Sequence, residues 1–193
     1  MDEAYPLGIT DVSPLINQLR RTDAQAVFPV SYLNDSLLII RNMRQQGINL
    51  PTIGGAAGYI IPDFRKGLGE LADDVLSISP AAYDQAPEYT DRFRERFGYF
   101  MVHEAQENAA CMGVLAAALE STGAADPRQI RDVIASETFD QGWATVMSGG
   151  KIKFDETGLN THAVPMMVQW RGDELVTVAP SEYAKADVVW HSL

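Results

Sequence analysis

Residues 151–160 read KIKFDETGLN, and this stretch decides the fold together with the two apolar runs that follow it. It is a short extended segment that ends in a turn rich in Asp, Gly and Asn. The runs AVPMMVQW (163–170) and ELVTVAP (174–180) then lie on either side of Gly172 and Asp173. Two such runs joined by a Gly-Asp pair predict a β-hairpin near the carboxyl terminus.

The first 80 residues alternate between predicted helices and short apolar runs. A first helix is expected up to residue 21, with Ser13 as its cap. A second is expected to begin after a cap at Asn34 or Asp35 and to end at Gly47. Strands are expected at 24–30, 51–54 and 74–79, and the first of them is apolar enough to be buried on both faces. Strand, helix and strand with short connections predict a parallel βαβ unit, so the fold class is α/β.

Four further helices are predicted, at 62–69, 88–97, 103–121 and 126–134, the last capped by Asp126. The third is the longest, and its many alanines predict close packing against a neighbouring element through a face that runs from Ala109 to Leu119. Cys111 lies in the same segment among apolar residues, which favours a buried and inert thiol.

Composition argues against several classes of partner. The net charge of −11 over 193 residues disfavours nucleic acid and anionic membranes, because binding to phosphate needs clustered Lys and Arg. With 46% hydrophobic and 21% charged residues the chain has the composition of a globular protein. No apolar run approaches the ~18 residues that a membrane helix needs.

No catalytic, metal-binding or cofactor-binding motif stands out. His103 and Glu107 have the spacing of the zinc-protease helix, but that motif requires a second histidine where Glu107 stands. The glycine-rich run 54–58 lacks the spacing of a dinucleotide-binding loop. No serine has the glycines of a nucleophile elbow. We therefore expect no enzyme activity, no metal and no cofactor, with an unrecognised α/β hydrolytic or transfer enzyme as a minor alternative.

The stretch that opens this subsection resembles the carboxy-terminal signature of the branched-chain amino-acid-type substrate-binding proteins of ABC transporters, which are type I periplasmic binding proteins. The resemblance lies in the order I-x-F-D-E-x-G-x-N from residue 152, followed by QWRGDELVTVAP at 169–180. Other segments resemble the family in the same order along the chain, namely 11–27, 34–54, 64–75, 93–98 and 116–123. The resemblance covers nearly all of the sequence.

The resemblance implies two α/β lobes with a small ligand bound in the cleft between them. Residues 1–99 would supply most of the second lobe, 100–162 the helical part of the first, and 163–193 the crossover strands that return to the second. The family's amino-terminal strands have no counterpart here. We therefore expect an incomplete periplasmic-binding-protein-like fold of type I, made of a parallel βαβ lobe, helices and a carboxy-terminal hairpin, and corresponding to the carboxy-terminal part of a binding protein.

The resemblance also implies a ligand site in two loops, one with Ser31 and Tyr32 and one with Gly55 and Ala56. Tyr32 matches an aromatic position that packs on the ligand in amino-acid binders. Those binders carry an acidic residue near the position of Ala56, whereas residues 54–61 contain none. The lost charge-assisted hydrogen bond would cost an α-amino acid roughly 1.5–3 kcal/mol. The ligand is therefore left open between an amino acid, an aromatic acid and an amide.

The expected function is a non-catalytic, partial ligand-binding component of an ABC importer for amino acids or related small carboxylates or amides, with the transporter permease as partner. The resemblance implies a periplasmic location. Residues 1–7 have no secretory signal, so the chain as written would be cytoplasmic. The alternative is a truncated fold remnant that acts as an interaction or regulatory module without a ligand. In either case an apolar helix face at 109–119 is expected to be exposed and to allow self-association.

Overall fold

The computed structural model describes residues 1–190, which form two units. One unit consists of residues 1–79 and those from 167 onward, and the other of residues 80–166. In chain order the elements are α1 (Ser13–Leu19), α2 (Leu33–Gln45), β1 (Ile53–Gly54), α3 (Pro62–Leu68), β2 (Leu76–Ser79), α4 (Pro87–Phe97), α5 (His103–Thr122), α6 (Pro127–Ser136), β3 (Met166–Arg171) and β4 (Glu174–Ala179). The assignment of 1–99, 100–162 and 163–193 to family lobes stays a prediction.

A four-stranded sheet with the order β1-β2-β3-β4 organises the first unit. Strands β1 and β2 are parallel, with Ile53 opposite Leu76, and α3 lies between them in the chain. Strands β3 and β4 are antiparallel, with Gln169 opposite Val176. The predicted α/β class and the carboxy-terminal hairpin are therefore confirmed, and β1, α3 and β2 form a parallel βαβ unit.

The predicted strand at 24–30 is reduced to two parallel bridges, Val27 to Thr52 and Val30 to Gly55. Pro29 lies between them and has no N–H to donate, so the hydrogen-bond ladder to β1 is interrupted. The expectation that this run is buried on both faces is wrong. Phe28 is 68% exposed and Val30 is 72% exposed, because successive strand residues point to opposite faces and one face here is uncovered.

Helix starts agree with the sequence at one of three positions. Asp126 is the predicted cap of α6, and its carboxylate accepts two backbone N–H hydrogen bonds in the first turn, at 2.8 and 3.2 Å. Ser13 is instead the first residue of α1, not its cap. Tyr32 occupies the cap position of α2 without a side-chain hydrogen bond, so Asn34 and Asp35 lie inside the first turn and neither caps the helix.

The second unit is built around α5, which packs on α6 and on a short 3₁₀ turn at Gly142–Val146. Its buried positions are Gln106, Ala110, Val114 and Ala118. Met112, Leu115 and Leu119 are exposed, as expected for the apolar face at 109–119, and the helix packs through a different face. Met112 follows Ala110 by two residues, about 200° around the helix, so it lies on the opposite side. Cys111 is also exposed, which overturns its expected burial. Among residues 1–190, no helix is both long and apolar enough to cross a membrane.

Candidate functional site

The loops after the 24–31 run and after β1 lie side by side. The backbone N–H of Ser31 donates to the carbonyl of Gly55 at 3.2 Å, and the N–H of Gly55 donates to the carbonyl of Pro29 at 2.9 Å. Tyr32 and Ala56 are the next residues along each loop, and Tyr32 is 63% exposed. The structure thus brings together the four residues of the predicted ligand site. Their contact with a ligand stays a prediction.

Gly58 makes the close approach of these loops possible. A Cβ atom at this position would lie 2.5 Å from the carbonyl oxygen of Ser31 and 2.5 Å from the carbonyl carbon of Tyr32. The carbonyl of Gly58 accepts a buried 2.8 Å hydrogen bond from the hydroxyl of Ser36, at the start of α2. Glycine is therefore required where the second loop packs against the first.

Hydrogen bonds among hydroxyl groups hold the side chain of Ser31 in place. The hydroxyl of Tyr59 donates to Oγ of Ser31 at 2.8 Å, and that Oγ lies 2.5 Å from the hydroxyl of Tyr5. The Tyr5 hydroxyl in turn donates to the carbonyl of Val30 at 2.9 Å. Burial raises the pKa of Tyr59 far above its usual range, and the Ser31 hydrogen bond only partly opposes that shift. Ser31 is thus buried and held between the hydroxyls of two tyrosines.

Ala56 has a backbone conformation that side chains rarely adopt, with φ +64° and ψ 175°. That region is almost confined to glycine and costs other residues on the order of 1–3 kcal/mol. Ala56 is also exposed, at the end of the loop that follows β1. Strained backbone of this kind clusters at ligand sites, which is consistent with the predicted role of the loop.

A pocket of about 710 Å³ lies against these loops within the first unit. Ser31, Tyr32 and Ala56 line it, whereas Gly55 does not. Its other walls come from residues 1–5 and Leu7, from α1, from the 24–30 run and from the first three turns of α2. A lining of mostly apolar side chains with a few polar groups is typical of a small-molecule site.

Sequence reasoning missed three residues here, Tyr5, Asp35 and Tyr59. Asp35 lines the pocket from the first turn of α2 and is 3% exposed. Its position four residues after Ser31, directly beyond a strand, is a signal that could have indicated a binding role rather than a cap. Nothing in the sequence marks Tyr5 or Tyr59, because their contacts with Ser31 span 26 and 28 residues. Within residues 1–190, no group of three or more His, Cys, Asp or Glu side chains could hold a metal ion.

Comparisons with known proteins show the family of the chain. The family profile described as Periplasmic binding protein matches residues 1–174. The chain belongs to the periplasmic binding protein family. Leu/Ile/Val-binding protein homolog 8 of Brucella melitensis is 26% identical over 196 residues, which is 96% of this chain and 48% of the relative. Leu/Ile/Val-binding protein homolog 7 of Brucella abortus is 27% identical, over 97% of this chain and 49% of the relative.

Solved structures of the periplasmic binding protein family show the same fold. The branched-chain amino acid transporter substrate binding protein LivJ of Streptococcus pneumoniae, determined in complex with isoleucine, superposes with a TM-score of 0.74 at 21% identity over 96% of this chain and 50% of that one. The leucine binding protein LivK of Thermotoga maritima gives a TM-score of 0.71 at 20% identity, over 89% and 49% of the two chains. The chain thus spans about half the length of the relatives it matches.

Proposed function

We propose that this chain is a non-catalytic ligand-binding component of an ABC importer for amino acids or related small carboxylates or amides. One observation carries the proposal: the loops with Ser31 and Tyr32 and with Gly55 and Ala56 meet beside a pocket of about 710 Å³. In open α/β sheets, ligands bind beyond the carboxyl ends of parallel strands, which is where both loops lie. The names of the Leu/Ile/Val-binding relatives support the same class of ligand.

Each loop has a distinct part in the proposed binding. The exposed ring of Tyr32 offers an apolar surface for the ligand, and Ser31 anchors the loop through its buried hydroxyl rather than reacting. Its hydroxyl partners are Tyr59 and Tyr5, neither of which is a general base of the kind that activates a serine nucleophile. This environment supports binding without covalent chemistry.

The proposed location is the periplasm, and the proposed partner is a transporter permease. Both rest on the family, since members are periplasmic binding proteins and the structural relatives include transporter substrate-binding proteins. Because the chain spans about half of those relatives, we propose that its two loops supply one side of the binding site.

Calorimetric titration and thermal denaturation with leucine, isoleucine, an aromatic acid and an amide test the proposal. At least one class should bind and raise the unfolding midpoint. Tyr32→Ala should weaken binding about tenfold or more, because an aromatic contact is lost. Tyr99→Ala removes another exposed tyrosine, in the second unit, and should leave affinity unchanged. Absence of binding by every compound, or an unchanged affinity in Tyr32→Ala, would contradict the proposed role.

A second candidate function is that of an interaction module without a ligand. The exposed apolar side chains of Met112, Leu115 and Leu119 on α5 favour it. The two functions are separated by the same titrations combined with the oligomeric state. Self-association through α5 with no ligand binding would support the module.

A further inference from the structure

We propose, on the basis of the proposed function, that Asp35 makes the pocket selective for ligands with an ammonium group, and that its carboxylate is their counter-ion. The proposal names a residue outside the two predicted loops. It also supplies the negative charge that the loop at Ala56 lacks. The ligand class that follows is an aliphatic primary amine, which includes aliphatic α-amino acids and their amides.

Asp35 is a buried carboxylate that lacks a partner in the protein. It is 3% exposed and lines the pocket from the first turn of α2. Within residues 1–190, no side chain or backbone group forms a hydrogen bond or a salt bridge with its carboxylate. A buried charge of this kind is costly unless a counter-ion or hydrogen-bond donor compensates it. An ammonium group in the pocket would provide both, because it carries a positive charge and three donors.

The charge of the pocket wall favours the same class of ligand. Its ionisable side chains, apart from tyrosine, are the carboxylates of Asp2, Glu3 and Asp35, and no Lys, Arg or His lines it. The side-chain amide of Gln18 donates a hydrogen bond to the carboxylate of Glu3. Asp2 and Glu3 are exposed, and Met1, which carries the amino terminus, also lines the pocket, so the buried charge that faces a ligand is that of Asp35. This charge would attract an amine and repel a carboxylate that lacks one.

The neighbours of Asp35 define the remainder of the ligand. The hydroxyls of Ser31 and Tyr5 lie within hydrogen-bond distance of each other, and both residues line the pocket together with Asp35 and Tyr32. The wall also contains aliphatic side chains that include Leu19, Val27, Ile39 and Met43. A ligand with a compact ammonium group for Asp35 and a branched aliphatic body for these residues suits this lining.

Four probes of the same carbon skeleton test the inference by calorimetry on the whole chain. Leucine and leucinamide carry the ammonium group, 4-methylpentanoate carries only the carboxylate, and 4-methylpentanamide carries neither. We expect leucine and leucinamide to bind at least tenfold more tightly than the other two. Asp35→Asn should weaken leucinamide binding by about 10- to 100-fold, in line with the loss of a charge-assisted hydrogen bond, and leave the neutral amide unaffected.

Asp63→Asn is the matched control. Asp63 also lies in the first turn of a helix, α3, but is exposed and does not line the pocket. Its substitution removes one negative charge and should leave affinity for leucinamide unchanged. Asp35→Glu keeps the charge and should preserve the preference for amines. If Asp35→Asn does not fold, the comparison of the four probes on the original chain still tests the inference.

The outcomes separate the inference from the proposed function. If 4-methylpentanoate binds as tightly as leucinamide, or if Asp35→Asn binds leucinamide like the original chain, the inference is overturned while ligand binding stands. If none of the four probes and no member of the wider panel binds, both the inference and the proposed function fail. An equal loss in Asp63→Asn and Asp35→Asn would also overturn the inference, because it would show a general charge effect.

Discussion

The indole N–H of Trp170 donates a 2.7 Å hydrogen bond to the backbone carbonyl of Tyr59, across 111 residues of sequence. Phe64 lies between the two aromatic residues, with ring centroids 6.2 Å from Trp170 and 5.4 Å from Tyr59. The hydroxyl of Tyr59 then holds Ser31. The carboxy-terminal hairpin is thus the support of the two candidate ligand loops.

Trp170→Phe should destabilise the chain and loosen the site. The substitution keeps an aromatic ring in a buried position but leaves the carbonyl of Tyr59 without its donor, at a cost of about 1–3 kcal/mol. Urea denaturation followed by circular dichroism measures this loss. Trp190→Phe is the control, since Trp190 is exposed, and it should change the midpoint little. Equal stability of both variants would show that the hydrogen bond does not support the fold.

In the loop after β1, removing a side chain at residue 56 and adding one at residue 58 should change the stability of the chain in opposite directions. Ala56→Gly relieves an unfavourable backbone conformation and should stabilise the chain by about 1 kcal/mol, after the greater flexibility of glycine in the unfolded state is taken into account. Gly58→Ala introduces a Cβ only 2.5 Å from the Ser31 carbonyl oxygen and should destabilise it. Thermal unfolding midpoints distinguish the two, and midpoints that move in the same direction would contradict this account of the loop.

Alkaline pH should weaken the fold through Tyr59. Burial raises its folded-state pKa above the ordinary value of 10.0, so its contribution to stability is fully present below about pH 10 and is lost as pH rises through the folded-state pKa. Absorbance at 295 nm should show one of the seven tyrosines ionising only as the protein unfolds. Tyr59→Phe should remove that late component. Simultaneous titration of all seven tyrosines in the folded chain would be incompatible with a buried Tyr59.

The exposed face of α5 should bind a hydrophobic dye. Met112, Leu115 and Leu119 are spaced by three and four residues, so they form one apolar stripe on the helix. Replacing Leu115 and Leu119 by Gln should reduce dye fluorescence and any self-association seen by light scattering. Leu159→Gln, at an isolated exposed leucine in a turn, should change neither. Dye binding that persists in the double variant would locate the apolar surface elsewhere.

Local sequence signals sufficed wherever local contacts decide the structure. The hairpin around Gly172 was predictable because its runs and turn are contiguous, and α6 was predictable because Asp126 caps it through residues two and three positions away. The α5 packing face was not predictable from spacing. Apolar residues lie on two sides of that helix, and which side is covered depends on α6 and the 142–146 turn.

The candidate site was only partly predictable for the same reason. Resemblance to the family pointed to Ser31, Tyr32, Gly55 and Ala56, which follow recognisable strands. Asn and Asp before an apolar helical pattern usually cap the helix, so the sequence predicts that role for Asn34 or Asp35. In the structure the helix begins at Leu33, two or three residues earlier than predicted, and Asp35 lies in its first turn, where it lines the pocket.

The run that carries Ser31 is attached to the sheet on one side by four backbone hydrogen bonds, two from its own residues Val27 and Ser31 and two received by Val27 and Pro29. Short, partly exposed attachments of this kind open more often than the rest of a fold, and their amides exchange with solvent faster. A ligand bound in the pocket would then stabilise the attachment of this run to the sheet. Hydrogen exchange at Val27 and Ser31 should slow when ligand is present, and part of the binding free energy would be spent in closing this segment.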